Sequence, residues 1–292
     1  MIDLTDLRKG ILFTMVSAVA YGISPILIRM TYDGGATGVS VAFLRILAIP
    51  VLLAIAWRYR IPLSLTRREA YEVVMSCGVG FGVTTLLLFG SYAHIPVGMA
   101  TTLHFIYPIM VSVACVVFFR DKLSLPMVFA LVMCTAGVLL FMGDMAGVSA
   151  KGVVMALVSG LTYAFFLVYV DKKEIKNMNH FKFSFWLSVM LTLLFGVYGA
   201  LTGTLSLDLT PGAWALCTVN SILCAVVAVT ALQIGIQLAG ATTASILSTL
   251  EPITSFALGV LLLGEGFSAT KIIGVVCVVI AVITVSAKKQ KQ

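Results

Sequence analysis

The chain has 292 residues, of which 60% are hydrophobic and only 11% are charged. Its mean hydropathy of +1.10 lies far above the range of soluble globular domains, so lipid rather than water is its expected solvent. The net charge of +7 comes from lysines and arginines spread over short connectors, which excludes the continuous basic stripe of a nucleic-acid-binding protein.

Apolar segments long enough to cross a bilayer follow one another along the chain, and breaker or charged residues separate them. They predict an all-α integral membrane protein of ten transmembrane helices, over 10–31, 36–57, 70–92, 97–119, 125–143, 152–171, 181–202, 211–236, 240–263 and 270–287. All six cysteines fall inside these segments without a CxxC pair or a Cys/His cluster, so we interpret them as packing residues rather than disulfides or metal ligands.

The lysines and arginines of the connectors divide unevenly between the two sides of this bundle. The side of the amino terminus receives Arg8, Lys9, Arg58, Arg60, Arg67, Arg68, Arg120, Lys122, Lys172, Lys173, Lys176, Lys182, Lys288, Lys289 and Lys291. The other side receives only Arg29, Lys151 and Lys271. Because cytoplasmic connectors carry the excess of basic residues, we predict a multi-pass protein of the cell membrane with both termini in the cytoplasm.

An internal repeat appears when the chain is compared with itself at an offset of 142 to 144 residues. The ordered matches are Lys9-Gly10 with Lys151-Gly152, Ser17 with Ser159, Tyr21 with Tyr163, Gly98 with Gly240, and Pro108 with Pro252. We therefore divide the chain into a first repeat, 1–146, and a second repeat, 147–292. Five helices is an odd number, so the second repeat enters the membrane from the opposite face. Inverted repeats are typical of transporters, because they offer two related states that open to opposite sides.

The sequence from Gly240 to Ser268, GATTASILSTLEPITSFALGVLLLGEGFS, resembles the second repeat of the EamA family in the drug/metabolite transporter superfamily. Its counterpart GMATTLHFIYPIMVSVACVVFFRDKLS, which begins at Gly98, matches less well because Tyr107 replaces the glutamate. The resemblance implies ten helices, cytoplasmic termini, a central cavity between the halves and export of amino acids or other small metabolites. Among the family members, the aromatic amino acid exporters are the nearest fit.

Two charged residues are candidates for the site. Glu251 lies about eleven residues into the ninth segment, near the bilayer centre, where a carboxylate is costly and is by default a functional candidate. It could bind a substrate amine or carry a proton, or it could hold backbone loosened by Pro252. Arg45 in the second segment could bind a substrate carboxylate, but an ion pair with Glu251 is the favoured interpretation.

Aromatic and polar residues complete the candidate substrate-binding set. Tyr21 and Tyr163 occupy matching repeat positions, and Tyr107 is the repeat counterpart of Glu251. With His104 and Trp186 they could line an aromatic chamber with a few polar groups, which is typical of small-molecule sites. The remaining candidate is Asn220, in the eighth segment. The alternatives are that the aromatic residues only pack within the membrane and that Asn220 and His104 only make ordinary hydrogen bonds. His104 could also relay protons.

No cofactor is expected. Gly78, Gly80 and Gly82 form GxGxG inside an apolar run rather than after a strand, so we interpret them as helix-packing residues, and no Walker A motif occurs. The sequence predicts a secondary transporter that works by alternating access on a small-molecule substrate, driven by the substrate gradient or by protons, within membrane lipid and without a nucleic-acid partner. The alternatives are a membrane scaffold or chaperone subunit and an intramembrane enzyme, for which no GxSxG or HExxH motif is present.

Overall fold

The structure is a computed structural model that describes residues 4–140, 149–263 and 268–288. In these ranges the regular structure is helical, without a strand. Ten membrane helices follow in chain order: α1 Leu4–Tyr32, α2 Gly38–Arg58, α3 Arg67–Ser91, α4 Val97–Phe119, α5 Leu125–Leu139, α6 Ala150–Lys172, α7 His180–Thr202, α8 Pro211–Ala239, α9 Ala241–Leu263 and α10 Ala269–Lys288. Nine of the described helices are long and apolar enough to span a membrane, and α5 is a shorter apolar helix. The predicted ten-helix architecture is confirmed.

Helix ends differ from the prediction mainly at the first helix, which begins at Leu4 rather than at residue 10. Polar residues extend it, because Asp6 lies in the first turn and pairs with Lys9 at 3.5 Å, both favourable at a helix start. The predicted end of α5 at 143 lies outside the described residues. The start of α3 has a complete capping box, in which the Thr66 side chain accepts from the Glu69 amide and the Glu69 carboxylate accepts from the Thr66 amide.

Several helices are interrupted near their middles. Helix α4 is divided between His104 and Tyr107, and α9 is divided at the repeat-related position between Leu247 and Leu250. A 3₁₀ segment interrupts α2 over Leu44–Ala48, and π segments interrupt α3 over Val74–Gly82 and α8 over Leu223–Ala228. Non-helical backbone at membrane depth persists where it is buried in protein or lines a cavity, so these interruptions indicate where a site lies.

The two repeats exchange packing partners rather than forming separate lobes. Helix α1 of the first repeat packs on α8 and α9 of the second, and α6 of the second packs on α3 and α4 of the first. Helices α2 and α7 form a pair across the repeats, as do α5 and α10. The interrupted helices are thereby brought around α1 and α6.

The two ends of the bundle join the repeats by different interactions. We call the end with loops 59–66, 120–124 and 173–179 the basic face, and the end with loops 33–37 and 203–210 the opposite face. On the basic face three ion pairs connect the repeats: Lys182–Glu69 at 2.7 Å, Arg68–Glu174 at 2.8 Å and Lys172–Asp121 at 2.6 Å. On the opposite face the described residues join them by neutral hydrogen bonds, such as Ser40 Oγ to the Ser206 carbonyl at 2.6 Å.

Candidate functional site

Tyr163 of α6 lies at the centre of the predicted site. Its side chain is buried and lies within electrostatic range of four other candidates, which come from helices α1, α2, α4 and α9: Tyr21, Arg45, Tyr107 and Glu251. The structure therefore brings together candidates that are far apart in sequence. We call this set, with the adjoining rings of Phe81 and His104, the central cluster.

Aromatic rings form one wall of the central cluster. The Tyr163 ring centroid lies 4.8 Å from that of Tyr107, edge to face, and 5.3 Å from that of His104. Phe81 of α3 adds a further edge contact to Tyr163 at 6.0 Å. Such contacts contribute beyond buried area and fix the rings in place, so this wall presents a rigid aromatic surface.

Arg45 lies in the 3₁₀ segment of α2, where its guanidinium carbon is 5.8 Å from the centre of the Phe81 ring. The Arg45 backbone carbonyl accepts a hydrogen bond of 3.2 Å from the Ser221 hydroxyl, which ties this segment to α8. The predicted ion pair with Glu251 is wrong, since none joins these two described residues. The guanidinium is instead directed to an aromatic face, and its Nη1 is buried without a hydrogen-bond partner.

Glu251 is the second residue of the second segment of α9, and its backbone amide donates to the Ser248 carbonyl at 3.0 Å. Helix α1 approaches this point so closely that a Cβ added at Gly22 would lie 2.7 Å from the Glu251 carbonyl oxygen. The Glu251 side chain is mostly buried, and it lies within electrostatic range of the hydroxyls of Tyr21, Tyr92, Tyr107 and Tyr163. The carboxyl group therefore lies near hydroxyls from several helices and makes no ion pair with a described residue.

Two tyrosine hydroxyls of the cluster also lack a well-formed hydrogen bond. The hydroxyls of Tyr21 and Tyr107 are buried and make no well-formed hydrogen bond, as is true of Arg45 Nη1. The Arg45 guanidinium lies near the Tyr21 hydroxyl, and the Ser248 hydroxyl lies near that of Tyr107. An unsatisfied buried polar group costs about 1–3 kcal/mol, so three of them in one cluster is an expensive arrangement. Buried groups of this kind require an explanation, and a polar ligand that pairs with them supplies one.

His104 ends the first segment of α4, and its tautomer follows from its neighbour. The Ser159 hydroxyl lies 2.6 Å from the Ala156 carbonyl, which only accepts, and 2.9 Å from His104 Nδ1. Because Ser159 has one hydroxyl proton and donates it to the carbonyl, Nδ1 carries the proton that it donates to Ser159. In a neutral ring Nε2 is then an acceptor. A Cβ added at Gly160 would lie 2.7 Å from the His104 carbonyl, so α6 also fixes this backbone.

The remaining two candidates lie apart from these contacts. Asn220 is buried in α8, where its side-chain oxygen accepts from the Cys224 thiol at 3.6 Å, and Cys224 lies within electrostatic range of Tyr21. Trp186 is placed at the basic face, where its indole donates to the Leu63 carbonyl at 2.9 Å. Asn220 thus borders the central cluster, whereas Trp186 is separated from it.

Phe81, Tyr92 and Ser159 are among the residues in these contacts that were not predicted. The repeat match of Ser17 with Ser159 was the sequence feature that could have indicated a role for Ser159. The Ser17 hydroxyl bonds the Ala228 carbonyl at 2.8 Å, so both serines connect their helix to the other repeat. The packing prediction for the glycines is confirmed for Gly80 and Gly82, where a Cβ would meet Phe166 at 2.9 Å and Leu194 at 2.7 Å, but not for Gly78.

The sequence profile of the EamA-like transporter family matches this chain twice, over residues 8–143 and 150–287. The chain belongs to the EamA-like transporter family. The predicted resemblance is confirmed over almost the whole length, and each matched range covers one run of five helices. A family of transporters agrees with the prediction that the protein is not an enzyme.

Two relatives of this EamA-like protein carry transporter names. One is 26% identical over 222 residues, 74% of this chain and 66% of the relative, and is the uncharacterized transporter sll1319 of Synechocystis. The other is 24% identical over 184 residues, 59% of this chain and 56% of the relative, and is the uncharacterized transporter YxxF of Bacillus subtilis. The matched region spans less than two thirds of either relative.

A solved crystal structure, whose description gives no function for the protein, has the same fold. It superposes with a TM-score of 0.83 and covers 96% of this chain and 98% of its own, at 16% sequence identity. The likeness extends over the whole EamA-like architecture, so all ten helices belong to one established fold.

Proposed function

We propose that the protein exports small organic metabolites, foremost amino acids and among them aromatic ones, as a secondary transporter. One observation carries this proposal: the buried polar atoms of Tyr21, Arg45 and Tyr107 that lack a well-formed hydrogen bond lie together with Glu251 in the central cluster. A polar solute of matching shape would satisfy them, which an apolar ligand would not.

The chemistry of the cluster fits a zwitterion with an apolar side chain. The planar Arg45 guanidinium suits a carboxylate, and the Glu251 carboxylate suits an ammonium group. Because these two side chains do not pair with each other, both remain available to a ligand. The rings of Phe81, Tyr107 and Tyr163 then offer a surface for an aromatic side chain.

Alternating access is supported by the contrast between the two ends of the bundle. Ion pairs join the repeats across the basic face, whereas neutral hydrogen bonds join them across the opposite face. Lys182–Glu69 and Lys172–Asp121 are partly buried, whereas Arg68–Glu174 is exposed. Partly buried ion pairs hold a geometry more firmly than single neutral hydrogen bonds. This arrangement favours a state that is closed at the basic face, and the inverted repeats supply the reciprocal state.

The orientation follows from the charges. The excess of lysine and arginine on the basic face supports a cytoplasmic location for that face and for both termini, in the cell membrane. The export step is driven by the substrate gradient or by protons. Glu251 and His104 are the groups of the central cluster that could carry a proton across it.

Counterflow in proteoliposomes tests the proposal. Purified protein is reconstituted with unlabelled solute inside, and uptake of labelled amino acids, nucleosides and amines is measured. We expect uptake of one or more amino acids, loss of that uptake in Arg45→Gln and Glu251→Gln, and normal uptake in Lys122→Gln, whose side chain is exposed in a loop of the basic face.

The panel also separates the two charged roles. Arg45→Gln should discriminate less against amines that lack a carboxylate, and Glu251→Gln should discriminate less against acids that lack an amine. Counterflow of nucleosides or amines alone would contradict the amino acid proposal. No counterflow of any solute by a folded protein would contradict transport itself and support a scaffold role.

A further inference from the structure

A groove of about 690 Å³ lies at the end of α2 and along the loop that follows, remote from the central cluster. Its lining residues are Leu53, Ala56, Trp57, Arg58, Arg60, Ile61 and Leu63. Trp57 is 84% exposed although it is a large aromatic residue, and Leu53, one turn deeper in the helix, is 43% exposed. The groove therefore combines an apolar part within the helix with a basic part at its end.

The basic part is held in place by the backbone. The Ile61 amide donates to the Ala56 carbonyl at 2.8 Å, and Arg60 adopts a φ of 53° that ends the helix sharply. The far wall is anchored to α7, because the Trp186 indole donates to the Leu63 carbonyl at 2.9 Å. The groove is thus a fixed feature of the fold rather than a gap between side chains.

The charges of the groove are not neutralised by the protein. Arg58 and Arg60 are exposed and form no ion pair with any described acidic residue, whereas nearby Arg68 pairs with Glu72 and Glu174. The guanidinium of Arg58 lies 5.7 Å from the centre of the Tyr59 ring, which orients it without cancelling its charge. An anionic group is the complement that this site lacks.

We propose that this groove binds an anionic phospholipid, with the headgroup phosphate at Arg58 and Arg60 and an acyl chain along Leu53 and Ala56. A phospholipid matches both parts, since free phosphate leaves the apolar part uncovered and a zwitterionic lipid leaves the arginines without a net countercharge. Tryptophan is the residue that prefers the boundary between headgroups and acyl chains, and Trp57 lies between the two parts of the groove. This site is independent of the proposed substrate site.

Trp57 provides the readout. The full-length protein is reconstituted with phosphatidylcholine that contains a small fraction of either dibrominated phosphatidylglycerol or dibrominated phosphatidylcholine, and quenching of tryptophan fluorescence is measured. The Trp57→Phe variant identifies the contribution of Trp57. We expect phosphatidylglycerol to quench Trp57 at about 10-fold lower mole fraction, because each basic residue near the surface favours an anionic lipid and two act together.

Matched variants distinguish lipid binding in the groove from a general attraction of anionic lipid to the basic face. Arg58→Gln with Arg60→Asn should remove the preference, and asparagine tolerates the positive φ at position 60. Lys122→Gln with Lys173→Gln, which removes two exposed charges of the same face outside the groove, should retain it. Equal quenching by both lipids, or equal loss in both double variants, would overturn the proposal.

Two further measurements on the unaltered protein guard against a variant that fails to fold. The preference for phosphatidylglycerol should decrease at high salt, because a headgroup contact between exposed charges is screened. Added inorganic phosphate at millimolar concentration should not displace the lipid. Displacement by inorganic phosphate would show a phosphate site rather than a lipid site and would overturn the choice of ligand.

Discussion

Arg45 and Glu251 lie in one cluster but form no ion pair. We therefore predict that Arg45→Met and Glu251→Gln couple only weakly in the free energy of unfolding, by less than about 1 kcal/mol, because they share Tyr21 and Tyr163 as neighbours without bonding each other. A buried pair would behave differently, since removal of one partner costs about 3–5 kcal/mol and removal of both restores much of it. Unfolding of the single and double variants in detergent measures the coupling, and rescue by the double variant would refute the geometry.

Ser159 is expected to set the tautomer of His104. In Ser159→Ala the acceptor for the Nδ1 proton is lost, so the ring should change from the Nδ1-protonated tautomer to a mixture, with a loss of stability of about 1 kcal/mol. Nitrogen chemical shifts of labelled histidine report the tautomer. Ser188→Ala is the matched control, because its buried hydroxyl bonds only the backbone of its own helix. An unchanged His104 spectrum in Ser159→Ala would contradict the assignment.

Single residues of the site were predictable only where the side chain is chemically unusual for its position in the membrane. Glu251 and Arg45 stand out because a charge inside an apolar segment is costly. Phe81 could not be distinguished from other apolar residues, because its role depends on how α3 is rotated toward α2. The sequence does not contain that rotation in any local pattern. The same reason explains the separation of Trp186, which lies at a helix end rather than in the chamber.

Close approach of helices determines which glycines tolerate change. A Cβ at Gly22 would lie 2.5 Å from the Thr254 Cβ, so Gly22→Ala should destabilise the α1–α9 contact by about 1–3 kcal/mol. At Gly78 nothing lies within 4 Å of the added Cβ, and alanine favours helices over glycine, so Gly78→Ala should be neutral or stabilising. Thermal unfolding in detergent compares them. An equal loss of thermal stability in Gly22→Ala and Gly78→Ala would contradict this description of the packing.

Helix positions were predictable from hydropathy, but the interruptions were not. The repeat match of Pro108 with Pro252 was a signal, because proline has no amide proton to donate to the carbonyl four residues earlier. Both α4 and α9 are divided immediately before these prolines. The π segment of α8 has no comparable mark, since its sequence is an ordinary apolar run. The π segment of α3 contains Gly78, Gly80 and Gly82, but these glycines indicated close packing rather than a π segment.

The whole molecule is predicted to open at the basic face when its ion pairs are weakened. Cys115 is fully buried, and its thiol lies within electrostatic range of Lys172 and Asp121. In a variant whose only cysteine is Cys115, Asp121→Asn should raise the rate of alkylation from the basic face roughly 5-fold, the factor for about 1 kcal/mol. Partial exposure of the pair keeps this estimate modest.

The control for this measurement is Lys9→Gln. It breaks an exposed ion pair with Asp6 on the same face, but that pair lies within one repeat. The alkylation rate of Cys115 should then remain that of the parent. A similar increase in both variants would show that general loosening, rather than the connection between repeats, controls access.

The exchange of packing partners between the repeats also determines the order of events during biosynthesis. Helix α1 leaves the ribosome before its principal neighbours, α8 and α9, which begin at Pro211 and Ala241. At 5–20 residues per second, α1 stays in the bilayer for roughly 10–40 s before α8 is made. The surface that includes Gly10 and Gly22, which later contact α8 and α9, must tolerate lipid or an insertion factor during that time. A premature stop within the second repeat would therefore leave the first repeat without the partners on which its own packing depends.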